Sequence, residues 1–106
     1  MAIAIKVEKI IKFDDLVIQT PFFYKHDLLL DEADSIVYGK IMDDSVVTIH
    51  KTYWYHDRRT EFEIEKEIKP CFQSYHTYLT EDEHKSSKEE YDAIVSEMKK
   101  FIEEET

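Results

Sequence analysis

The chain has 106 residues, 24 of them acidic and 14 basic, for a formal net charge of −10. That length fits one domain, residues 1–106, able to bury roughly 60–68% of its unfolded surface without staples, and an apolar content of 42% argues against disorder. The negative charge disfavours direct contact with nucleic acid or anionic lipid, which both need positive surface, and would attract a basic protein partner; the bland alternative is that acidity simply keeps the chain in solution.

Residues 3–13 open the chain with alternation. Ile3, Ile5, Val7, Ile11 and Phe13 share one parity, and Lys6, Glu8 and Lys12 share the other, as in a half-buried antiparallel strand. Residues 16–24 read as a second strand bent at Thr20-Pro21, since proline cannot donate to a ladder. Residues 25–34 fit either a loop or a short helix through 28–33. Residues 35–42 and 45–56 pair as a hairpin around Asp43-Asp44. Its second arm is rich in β-branched and aromatic side chains. Asp57-Arg58 turns the chain into a further strand over residues 59–69, which Pro70 ends. Residues 71–79 read as extended again.

The C-terminus is predicted to be helical. Ser87-Lys88-Glu89-Glu90 has the pattern of a capping box. Tyr91, Ile94, Val95, Met98, Phe101 and Ile102 follow at spacings that make one apolar stripe. Glu103, Glu104 and Glu105 oppose the helix dipole, so the end is expected to fray. Gly39 is the only glycine, and the turns must lean on aspartate and serine. The fold class is therefore α+β: an antiparallel β-sheet of about five to six strands with one C-terminal amphipathic helix packed on one face.

Catalytic constellations are missing. His26, His50, His56, His76 and His84 include no pair at metal-ligand spacing, and no metal or cofactor is expected. Cys71 could in principle meet His76 or His56. It follows Pro70 in a strand-like aromatic segment, however, where a buried inert thiol is the commoner outcome. A single glycine leaves no phosphate-cradling loop. The acidic pairs at 14–15 and 43–44, and Asp31, Glu32 and Asp34, lack calcium-loop spacing and read as turn formers. With one cysteine no internal disulfide is possible, which fits a reduced, cytoplasmic setting. Charge interrupts the N-terminus too early for a signal peptide. The longest aliphatic run, Leu28-Leu29-Leu30, is far short of the ~20 residues of a membrane span.

Two features remain. In Tyr53-Trp54-Tyr55, the two tyrosines share parity with Val47 and Ile49 and are expected in the core. Trp54 then stands exposed as an interface anchor, or beneath a second layer, of which the C-terminal helix is the first candidate. The second feature is the run Glu61-Phe62-Glu63-Ile64-Glu65-Lys66-Glu67-Ile68. Extended, it sets Glu61, Glu63, Glu65 and Glu67 in a row on one face and sends Phe62, Ile64 and Ile68 into the core. The row repeats its charge every ~6.6–6.8 Å, an outline akin to a nucleic-acid backbone. The bland alternative is a solvated face balanced by Lys or Arg on neighbouring strands.

These features make a non-enzymatic, protein-binding function the leading expectation. The chain reads as a small acidic inhibitor, in the manner of a nucleic-acid mimic, of a basic partner such as a nuclease or nucleic-acid-binding effector. Glu61, Glu63, Glu65, Glu67 and Trp54 form the candidate contact surface. This is the anti-defence or immunity type used by bacteria and their phages, an analogy from charge and size. Alternatives are an assembly module that self-associates through a sheet edge or the Trp54 face, and a small enzyme or ligand-binding domain.

Overall fold

A computed structural model describes residues 9–13 and 16–105. The alternation at residues 3–7 and the Asp14-Asp15 pair lie outside them. The described residues form an α+β fold in which the strands divide between two antiparallel sheets, of two and four strands, instead of the single sheet expected. Strand β1 (Lys9–Phe13) pairs with β2 (Leu16–Thr20). Pro21 then separates β2 from β3 (Phe22–Leu29), which belongs to the second sheet. The expected bend is thus a change of sheet.

The second sheet is a meander, β3-β4-β5-β6, with β4 at Ala33–Ile41, β5 at Ser45–Trp54 and β6 at Arg59–Ile68. Residues 25–29, expected as loop or helix, continue β3 and pair with β4 through Leu29↔Asp34. The chain turns tightly at 30–32, where the Tyr55 amide donates to the Glu32 carbonyl at 3.1 Å. Asp43-Asp44 and Asp57-Arg58 make the other turns, the latter with Arg58 at φ 50°.

After Pro70 the structure departs from the sequence reading. Residues 71–79 are not extended: a 3-10 turn at Phe72–Tyr75 runs into helix α1 (His76–Thr80). Phe72, Tyr75, Tyr78 and Leu79 recur at spacings of three and four, so a helical turn gathers them on one side. There they pack with Ile11, Ile18, Tyr24, Ile41 and Val46 into a first core cluster. Gly39 makes this possible. Tyr24 lies opposite it on β3, and its ring occupies the space a Cβ at Gly39 would need, 2.0 Å away. Tyr24 stacks on Tyr78 with ring centroids 4.4 Å apart.

Helix α2 (Lys88–Glu105) covers the other face of the sheet. Ser87 caps it, its Oγ accepting the Glu90 amide at 3.1 Å, and the helix continues through residues 103–105 where fraying was expected. It crosses the strands obliquely. Glu90 pairs with Lys25 of β3 at 2.9 Å, Glu97 pairs with Lys51 of β5, and Phe101 meets Phe62 of β6 at 5.1 Å between rings. Tyr91, Ile94 and Met98 bury against Ile49, with Phe23, Tyr38 and Phe62 around them.

The oblique crossing leaves corners of this face bare. Tyr53 and Tyr55, expected in the core, are 38% and 46% exposed. Ile64 and Ile68, also expected inside, are 60% and 69% exposed. Both lie on β6, the outermost strand, where α2 reaches only as far as Phe62.

Candidate protein-binding face

The β5–β6 register puts Glu61 opposite Thr52, Glu63 opposite His50, Glu65 opposite Thr48 and Glu67 opposite Val46. All four glutamates share the face turned away from α2, because Phe62 on the opposite parity packs against that helix. Glu63, Glu65 and Glu67 are exposed and Glu61 is half-exposed.

Among the described residues, the lysine or arginine counterpart that would make this an ordinary balanced face is largely missing. The cross-strand neighbours are two threonines, a histidine and a valine. Arg59, at the start of β6, pairs with Glu61 at 2.7 Å. At the other end Tyr75 donates its hydroxyl to Glu67 Oε2 at 2.7 Å. Among the described residues no cation lies within ion-pair distance of Glu63 or Glu65.

Trp54 sits on this same face. It pairs across the ladder with Ala33 on one side and Arg59 on the other. It is therefore not beneath α2 but on the opposite side of the sheet, half-buried, and its Nε1–H is enclosed with no hydrogen-bond partner among the described residues. An open depression beside it is lined by Asp31, Glu32, Tyr55, His56 and Arg59. The sheet thus gathers the tryptophan and the glutamate row on one surface, which parity alone did not decide.

Beside them, on β4 and β5, lies a polar cluster that sequence reasoning missed. Ser35 Oγ is 2.8 Å from His50 Nε2 and 3.2 Å from Thr52 Oγ1. Ser35, His50 and Thr52 share a face by register, but the serine and its partners are 15 and 17 residues apart, so only the pairing reveals them. A serine–histidine contact is the start of a nucleophile–base arrangement. Ser35, however, is only 6% exposed and shares its hydroxyl with Thr52, so the contact ties β4 to β5.

Cys71 also differs from expectation: it is exposed and free. Pro70 takes the buried place beside it, and the turn that starts at Phe72 faces the thiol outward. Glu81, Glu83 and His84 bring one potential ligand atom each within 4.8 Å of one another. His84 Nδ1 lies 3.1 Å from the Lys25 carbonyl, and its Nε2 lies 3.5 Å and 3.8 Å from the Glu83 and Glu81 carboxylates. A search for histidine pairs could not find this set, which holds one histidine.

No helix among the described residues is long and apolar enough to cross a membrane. The fold and the face together define a small acidic α+β protein with a charged, aromatic-flanked sheet surface. Compared with family models, curated proteins and solved structures, the chain matches none.

Proposed function

We propose that this chain is a non-enzymatic, cytoplasmic protein-binding protein, a small acidic inhibitor of a basic, nucleic-acid-handling protein. The observation that carries the reading is the uncompensated stretch of the row. Glu63 and Glu65 stand exposed opposite His50 and Thr48, and among the described residues no lysine or arginine balances them. A line of like charge costs stability that threonine or serine would not cost, and a basic partner would recover it. Trp54 on the same face supplies the type of aromatic side chain that anchors interfaces. The specific role, occupying a nuclease or defence effector in place of nucleic acid, is an analogy from charge spacing and size.

Affinity capture from a lysate of the source cells at low and high salt tests this reading. A basic protein retained at low salt and released at high salt supports it, because long-range attraction between exposed charges is screened. A salt-insensitive homo-oligomer with no basic protein retained would replace it with the assembly-module reading.

A further inference from the structure

We propose that the outer edge of β6 receives an extended segment of the partner, one in which basic and apolar residues alternate. The inference rests on the acidic-face reading above and gives the partner a shape.

A four-stranded sheet has two outer edges, and here they are treated differently. The edge of β3 is occupied. The Ser86 amide donates to the Phe23 carbonyl at 3.1 Å, His84 Nδ1 sits 3.1 Å from the Lys25 carbonyl, and Lys85 bridges to Tyr24. Along β6 no described residue pairs with the outer edge, although the strand is ten residues long. Long open edges invite another strand.

The ladder phase shows which groups are offered. The Lys69 amide donates to the Asp44 carbonyl at 2.8 Å, continuing the β5–β6 register as a hydrogen-bonded pair. Such pairs alternate in an antiparallel ladder. Residues 59, 61, 63, 65 and 67 therefore turn their backbone groups to β5. Thr60, Phe62, Ile64, Lys66 and Ile68 turn theirs outward. The Met42 amide, donating to the Ser45 carbonyl at 2.8 Å, sets the same phase from the β4–β5 side.

Side chains specify the complement. An added strand would meet Glu61, Glu63, Glu65 and Glu67 on one face and Phe62, Ile64 and Ile68 on the other, with Lys66 between. Opposite-charge and apolar cross-strand pairs then require lysine or arginine alternating with valine, isoleucine or an aromatic residue. A second copy of this chain fits badly. Every antiparallel self-pairing centred on residues 62–66 sets at least one of these glutamates against another, which is unfavourable.

The test uses a synthetic peptide of about nine residues alternating lysine and valine, and a control of the same composition with its lysines clustered. Amide hydrogen exchange is followed by NMR. The alternating peptide should slow exchange at Phe62, Ile64 and Lys66 at least about tenfold, leave the four glutamate amides little changed, and bind at least about tenfold tighter than the control. Ile64→Pro removes one outward N–H at an edge position that tolerates proline and should weaken binding by at least about tenfold. If that variant fails to fold, a peptide N-methylated at alternate residues makes the same test on the unmodified protein. Equal binding of both peptides, unchanged exchange along β6, or a stable dimer paired through β6 would overturn the proposal. Should both peptides bind equally but lose affinity when the four glutamates become glutamine, the edge fails while the acidic-face reading stands. Equal binding of the alternating peptide to that glutamine variant overturns the acidic-face reading instead.

Discussion

Tyr75 donates its hydroxyl to Glu67 Oε2 at 2.7 Å, tying the turn after Pro70 to the last glutamate of the row. That contact fixes one end of the acidic face beneath the segment that completes the first core cluster. Burial first, and then the bond to Glu67, push the Tyr75 phenol up to about 12 from its ordinary 10.0. The unfolded chain therefore releases this proton between about pH 10 and pH 12 while the folded chain keeps it, so stability falls as pH rises through that window. Tyr24 and Tyr91, raised chiefly by burial, act in the same direction. A phenolate absorbance titration should show Tyr75 ionising late, and Tyr75→Phe should make unfolding less steep in that window. Glu67→Gln should lower the Tyr75 value part of the way, because burial is the larger cause. An ordinary tyrosine titration for the whole protein would contradict the contact.

Met98→Asp should unfold the chain or come close to it. Met98 is buried against Ile49, Tyr91 and Ile94, and an unpaired carboxylate there costs upwards of about 3 kcal/mol. Thermal melting measures this. An unchanged midpoint would remove α2 from the sheet face.

Gly39→Ala should destabilise by about 1–3 kcal/mol, as overpacking does. The new Cβ would fall 2.0 Å from Tyr24 Cε1, and Tyr24 is held by its stack on Tyr78. Denaturant unfolding of Gly39→Ala alone and combined with Tyr24→Leu checks the cause. The loss should shrink when the ring is gone.

Cys71 should react with a disulfide reagent in the folded state, one equivalent per chain, without unfolding, since the thiol is exposed. Cys71→Ser should change stability by no more than about 0.5 kcal/mol. Reaction only in denaturant would return the thiol to the core.

Much of this fold was legible because period and parity are written in side chains. Period-two runs placed β5 and β6, and the stripe from Tyr91 to Ile102 placed α2 with its Ser87 cap, although Ile102 itself stands exposed. Period misled where aromatic content was read as extended. Phe72, Tyr75 and Leu79 keep helical spacing, and a count of that spacing would have found α1. Residues 25–29 were lost because their strand depends on a partner, β4, that local sequence does not name. The row was legible as a row, but the residues opposite it were not. Which face α2 covers, and hence the company of Trp54, is set by packing between elements distant in sequence. The exposure of Ile64 and Ile68 follows from two tertiary facts, an edge position and an oblique helix, that no alternation pattern carries.

The most direct measurement of the central claim replaces Glu61, Glu63, Glu65 and Glu67 together with glutamine and follows association with the basic protein captured from lysate. Single exposed charges contribute only ~0.2–1 kcal/mol each, so the row must be removed as a whole. The variant should fold as well as the parent or better, because row repulsion is relieved. Its association rate should fall and lose its dependence on salt, since the steering field is gone. An unchanged association rate at low salt would show that the row is only a solvated face.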